Sequence, residues 1–152
     1  MSETHWQIRD PDFAARVHTS FARQHFMTLI GARLAAIAPG EVTIELPVRA
    51  DLEQQHGFVH AGACWSIADS AAGYASQTLM AAADGVLTVE LKINLLAPAS
   101  GELLRARGRV ERAGRQLMVG RADVYGVADG AEKHVATALG TFMVMPGLGD
   151  RP

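Results

Sequence analysis

The sequence predicts an α+β fold in which an antiparallel sheet wraps around one long buried helix. Three observations carry that prediction. Residues 61 to about 82 form an Ala-rich apolar stretch without proline, too long to be a strand. Before it, residues 41–48 alternate apolar and polar side chains with period two. After it come four strand-like runs separated by short Gly, Pro and Asp breaks.

The elements follow in order. Residues 11 to 28 read as a helix, with Pro11 after Asp10 at its start and Phe13, Val17, Phe21 and Phe26 on one apolar face. Residues 32–38 are the hairpin partner of the next strand, with Pro39-Gly40 as the turn. In that next strand Val42, Ile44, Leu46 and Val48 alternate with Glu41, Thr43, Glu45 and Pro47. The long segment is apolar nearly all round, so it is expected to be buried on most sides. Gly73 in its interior costs about 1 kcal/mol relative to Ala. A close backbone approach by a neighbour is expected there. The later runs cover about 86–97, 102–112, 116–126 and 133–145. In the first of them Leu87, Val89, Leu91, Ile93 and Leu95 alternate with Thr88, Glu90, Lys92 and Asn94. Short breaks at Pro98, Gly101, Ala113-Gly114 and Asp129-Gly130 imply antiparallel neighbours. One sheet around one helix leaves an edge strand and an open face, which a second copy would cover. The division expected is an N-terminal helical segment (1–28) packing on the main domain, the domain itself (29–147) and a tail (148–152).

Composition limits the function classes. A chain of 152 residues, 49% of them hydrophobic, is one domain with a core that needs no staples. A net charge of −2 gives no basic footprint for nucleic acid. Cys64 is the sole cysteine, which excludes an internal disulfide and a multi-cysteine metal site. The start, MSETHWQIRDPDF, has neither a basic nor an apolar signal region. The apolar segment 61–83 carries Asp69 and is built of small residues, so it is not read as a membrane span. A cytoplasmic protein without a cofactor is expected.

Asp69 is the one charged side chain between His60 and Ala83. A carboxylate inside a buried helix is expensive unless it is paired or used. It is either a structural acid bonded to nearby hydroxyls or a functional one. The second cluster, Gln54-Gln55-His56-Gly57-Phe58-Val59-His60-Ala61-Gly62, leads into the helix. A helix N-terminus offers free N–H groups that suit a developing oxyanion. The plainer alternative is a turn in which His56 or His60 bonds a loop carbonyl. His56 and His60 are four apart, as metal pairs are, but Gly57-Phe58 argues against a helical turn and no third ligand is evident. Ser66 and Ser70 lie in no G-x-S-x-G elbow. Cys64 reads as a small core residue.

These residues resemble the hotdog-fold acyl-CoA thioesterases of the PaaI-like, phenylacetate-degradation type. Gln54 is followed three residues on by Gly57, then by His60-Ala61-Gly62, and Asp69 stands nine past the His. The family's pattern has an Asn or similar residue, a Gly, His-Gly-Gly and an Asp at the same spacings. The run Thr88-Val89-Glu90-Leu91-Lys92-Ile93-Asn94-Leu95-Leu96-Ala97-Pro98-Ala99 resembles its third strand. Arg112-Ala113-Gly114-Arg115 resembles its basic hairpin, and residues 135–142 its closing strand. The likeness covers roughly residues 30–145. Gln54 and Ala61 depart from the usual Asn and Gly.

The resemblance implies hydrolysis of an acyl-CoA to acid and CoA. The Ala61 N–H would hold the oxyanion, and Asp69 would act as general base or nucleophile. Thr88 and Gln54 would position water, Asp or substrate, and His60 belongs to the same motif. Gly62, Phe58, Trp65, Arg112 and Arg115 are candidate substrate contacts, with Lys92 a further candidate for the CoA phosphates. Partners implied are a second copy, with sites at the dimer interface, and a further pairing of dimers. No nucleic-acid or membrane partner and no metal is expected. Rival readings on the same fold are an acyl-thioester dehydratase or hydratase and a non-catalytic acyl-CoA-binding regulator.

Overall fold

The computed structural model describes residues 6–149, so the expectations placed on residues 1–5 and 150–152 lie outside the described residues. Helix α1 (Phe13–Ala22) is followed by a short α2 (His25–Ile30), strands β1 (Arg33–Ala38) and β2 (Glu41–Pro47), and a 3-10 turn (Ala50–Leu52). The long helix α3 (Ala61–Gln77) precedes β3 (Gly85–Leu95), β4 (Leu103–Ala113), β5 (Leu117–Ala128) and β6 (Ala131–Met145). The strands form one antiparallel sheet in the order β1-β2-β4-β5-β6-β3, folded around α3. This is the α+β hotdog arrangement.

The expected single N-terminal helix is two. The chain leaves helical geometry at Gln24, which is extended (φ −79°, ψ 94°). Its N–H and that of Arg23 turn back onto the Phe21 and Ser20 carbonyls. The break shifts the face: Phe26 is exposed, and Met27 and Ile30 take the buried positions beside Val17 and Phe21. The helix begins at Phe13 rather than Pro11, with the Asp10 carboxylate accepting from the Asp12 N–H at 3.0 Å. α2 ends on Gly31, whose φ of 81° is left-handed and suits glycine.

Helix α3 stops at Gln77, about a turn earlier than the composition suggests, though Leu79 and Met80 remain buried. Arg16 of α1 sits against that end. Its guanidinium donates to the carbonyls of Gln77, Met80, Ala81, Ala82 and Asp84 at 2.8–3.4 Å. The Asp10 carboxylate lies 2.9 Å from its Nε, an ion pair rather than a directed hydrogen bond. A cation here complements the negative end of the α3 dipole and ties down the turn that follows Gln77.

The sheet's inner face and α3 meet through small residues. Ala68, Ala71, Ala72 and Ala75 of α3 are fully buried. The close approach expected at Gly73 is made instead by sheet glycines. A Cβ on Gly108 would lie 2.2 Å from the Ala71 carbonyl carbon, and one on Gly120 would lie 3.3 Å from the Ala72 Cβ and 3.0 Å from the Phe142 ring of β6. A Cβ on Gly73 would meet only that same ring, at an ordinary 3.6 Å.

Two corrections concern β3. It does not pair with β4, its neighbour in sequence, but with β6, while β4 lies between β2 and β5. Nor does it alternate throughout. A bulge places Val89 out of register, so that Thr88 pairs with Phe142 and Glu90 with Thr141. Thr88 therefore shares the inner face with Phe142. Beyond the bulge Leu91 and Ile93 pair with Gly140 and Ala138 on that face, while Leu87 and Val89 are left half-exposed.

Candidate active site

Asp69 stands on the third turn of α3 and is half-buried. Its Oδ1 accepts a hydrogen bond from the Thr88 hydroxyl at 2.8 Å. Burial pushes the carboxyl pKa up from the ordinary aspartate value, and the Thr88 bond works in the opposite direction. The two residues line a cavity of about 240 Å³ with Gly73, Tyr74, Gln77 and, from the break between α1 and α2, Gln24. The bulge at Val89 brings Thr88 to this inward position.

The Gln54–Gly62 cluster builds a different place. His60 is the N-cap of α3, and its Nδ1 accepts from the Gly62 N–H at 2.9 Å. The ring nitrogen that accepts carries no proton, so a neutral ring carries its proton on Nε2. The His60 N–H donates to the Leu52 carbonyl at 2.8 Å, and the His60 carbonyl accepts from Ala63. With Gly62 and Ala63 so engaged, the Ala61 N–H is the unbonded donor of the first turn among the described residues. Gln54 closes the preceding turn: its backbone N–H and C=O bond Phe58 and Gly57, and its side-chain Oε1 accepts from the His56 N–H. Gln54, His60, Ala61 and Phe58 line a second cavity of about 580 Å³ with the segment 95–99.

Within one chain these halves do not meet. Ala61 and Asp69 are eight residues apart on one helix, about 12 Å along its axis. The two cavities have no lining residue in common.

The remaining candidates are placed as follows. Gly62 donates to the His60 cap. Trp65 is partly exposed and its indole N–H reaches the Leu91 carbonyl at 3.3 Å. Lys92 is exposed on β3. Arg112 and Arg115 are exposed at the β4–β5 hairpin, and the intervening Ala113 and Gly114 lie near Leu79 beyond the α3 C-terminus. Neither arginine lines the two cavities above. Ser66 bonds the Gly62 carbonyl at 2.7 Å. Burial pushes the Cys64 thiol up to about 11, which leaves it protonated at neutral pH. Among the described residues no group of three His, Cys, Asp or Glu side chains could hold a metal, and no helix is long and apolar enough to cross a membrane.

Comparison with known proteins fits this architecture. A family model for the thioesterase superfamily matches residues 56–131. A candidate esterase of Saccharolobus solfataricus is 31% identical over 130 residues, covering 86% of this chain and 84% of its own. A thioesterase family protein from Silicibacter pomeroyi superposes with a TM-score of 0.87 at 44% identity, over 89% of this chain and 99% of that one. The PaaI protein of the E. coli phenylacetic acid degradation operon shares the fold, with a TM-score of 0.79 at 21% identity over 91% and 97% of the two chains. Fold and relatives define the class, an enzyme that hydrolyses acyl thioesters. The chain belongs to the thioesterase superfamily, with the hotdog fold of the PaaI type.

Proposed function

We propose that this chain hydrolyses an acyl-CoA thioester at a site completed by two copies, Asp69 and Thr88 facing the Gln54–Ala61 loop of the partner. The observation that carries this reading is the separation of the two halves in one chain. A general base and an oxyanion donor must both stand about 3 Å from the reacting group. About 12 Å of helix between Ala61 and Asp69 prevents that within a single copy. Strand β3 supplies the means of pairing. It is an edge of the sheet and exposes Leu87, Val89 and Leu95, with Leu96 just beyond it. Further pairing of dimers into a tetramer belongs to the same proposal, and light scattering distinguishes the two states.

In this reading the thioester oxygen accepts from the Ala61 N–H. Asp69 removes a proton from water as the water oxygen attacks the carbonyl carbon. The tetrahedral oxyanion collapses, the C–S bond breaks, and the proton held by Asp69 passes to the departing thiolate. The products are the acid and CoA. Direct attack by Asp69 gives the same products through a mixed anhydride, which water then opens. His60 is a positioning residue: its cap takes up the Gly62 N–H and fixes the first turn. With Gln54 Oε1 engaged by His56, the amide nitrogen is the group that Gln54 offers to water or substrate. Phe58 lines the cavity beside Ala61, and Gly62, Trp65, Arg112 and Arg115 stand as further contacts to test.

The test is Ala61→Pro. Ala61 is the first residue of α3 and His60 before it is extended (φ −59°, ψ 138°), so position 61 accepts a proline and His60 tolerates one after it. The substitution removes the N–H and little else. Thiol release from acyl-CoA is expected to fall by about 10²–10³-fold while the fold persists. An unchanged rate removes the Ala61 N–H from the mechanism. Release of free CoA thiol also separates hydrolysis from hydration of an enoyl thioester.

A further inference from the structure

The cavity beside Asp69 contains polar groups that the hydrolysis does not use. Asp69, Gly73 and Gln77 recur at every fourth residue and line one face of α3, running about 12 Å from the carboxylate to Gln77. Ser20 of α1 and Gln24, in the break between α1 and α2, close the side. Gln24 Nε2 donates to the Tyr74 hydroxyl at 2.8 Å, and Ser20 Oγ lies 3.2 Å from the same oxygen. Gln77 is 3% exposed, and its Oε1 is buried without a hydrogen-bond partner among the described residues. A purely hydrocarbon chain placed here would exclude water from these groups and replace none of its hydrogen bonds.

Gly73 points the same way. Packing against the sheet does not demand a glycine, since a Cβ would meet only the Phe142 ring at 3.6 Å. Glycine in a helix interior is otherwise unfavourable. Its place is midway between Asp69 and Gln77 on the cavity wall, where the missing side chain leaves room. At about 240 Å³ the cavity is small beside the roughly 300–1,000 Å³ of typical ligand sites.

We propose that this cavity is the acyl pocket, that Gly73 keeps it open, and that Gln24, Tyr74 and Gln77 select a short acyl group carrying a hydroxyl or similar hydrogen-bonding group away from the thioester. The inference rests on Asp69 being the catalytic carboxylate, and it gives that site a substrate class. It also makes the α1–α2 junction, which lies outside the matched 56–131 segment, a determinant of specificity.

The experiment compares acyl-CoA pairs of equal size in which a methyl replaces the hydroxyl: 3-hydroxybutanoyl with 3-methylbutanoyl, and 6-hydroxyhexanoyl with heptanoyl. Thiol release gives kcat/KM for the wild type, Gln24→Leu and Gly73→Ala. The wild type is expected to favour the hydroxylated member of at least one pair by about tenfold or more, because a site that bonds a hydroxyl rejects the analogue lacking it. Gln24→Leu is expected to bring that ratio close to one. Gly73→Ala is expected to raise Tm while lowering kcat/KM more for the longer pair than for the shorter. Ser20→Ala serves in place of Gln24→Leu if the latter does not fold. No hydroxyl preference in either pair, or a preference untouched by both Gln24→Leu and Ser20→Ala, overturns the proposal. Kd values for the same pairs on Asp69→Asn separate the two readings. Normal turnover by that variant refutes the catalytic role of Asp69, whereas equal Kd values across each pair refute the pocket alone.

Discussion

Asp69 gains meaning from what surrounds it. An acid in a helix rich in alanine is either structural or functional by residue type alone, and its Thr88 bond suits both roles. The cavity beside it and the raised pKa favour the functional one. Asp69→Asn is expected to lose at least about 100-fold in thioesterase rate while remaining folded. Near-normal turnover would sink the assignment. The pKa shift has a second consequence. A carboxyl whose folded pKa is raised destabilises the fold once it ionises, so its cost is present above that pKa and absent below the unfolded value. Asp69→Asn should therefore match or exceed the wild type in denaturant stability at pH 7, with the gap closing by pH 3. As a base Asp69 must be ionised, so the acid limb of kcat/KM is expected above the ordinary aspartate range. Thr88→Ala removes the bond that holds the pKa down. Its acid limb should move to higher pH, with about a tenfold loss at neutral pH, and Thr88→Ser should restore both. An unmoved limb would leave Thr88 without a part in tuning the acid.

At the scale of elements, the sequence shows periodicity well and irregularity poorly. Strand β2 alternates as Glu41–Pro47 reads, and α3 is buried as its composition demands. The motif spacing from Gln54 to Asp69 also identifies both halves of the candidate site. The bulge at Val89 is invisible, because Leu87, Val89, Leu91 and Ile93 form an unbroken alternation in the sequence. Yet that bulge turns Thr88 inward. The break at Arg23–Gln24 is equally hidden, since neither residue is a Gly or Pro, and it sets Gln24 in the Asp69 cavity. The role of Arg16 depends on contacts more than 60 residues away, beyond the reach of local pattern. Its loss is expected to matter: Arg16→Met leaves Asp10 buried without its cation and takes the guanidinium from five carbonyls, of which those of Gln77 and Ala81 keep a backbone N–H partner. A loss of about 3 kcal/mol in chemical denaturation is expected, as for other broken buried pairs. A change below about 0.5 kcal/mol would mean that water satisfies those groups equally well.

At the scale of the whole molecule, the two half-sites make a prediction that does not depend on how the copies are arranged in detail. If each site takes Asp69 from one chain and the Ala61 N–H from another, two differently disabled chains can repair one another. Asp69→Asn lacks the base and keeps the oxyanion donor, and Ala61→Pro has the reverse defect. In a mixed dimer one site carries both substitutions and the other carries neither. Equal mixing after subunit exchange yields half mixed dimers, each with one intact site, so activity should recover to about one quarter of the wild type per chain. Each variant alone should stay at least about 100-fold down. The exposed apolar edge of β3 supplies the control. A charge at Val89, as in Val89→Lys, should weaken edge pairing and favour monomers in light scattering. Placed in both disabled chains, it should abolish the recovery. Recovery that survives dissociation, or mixtures no more active than their components, would show that the base and the oxyanion donor are not shared between chains.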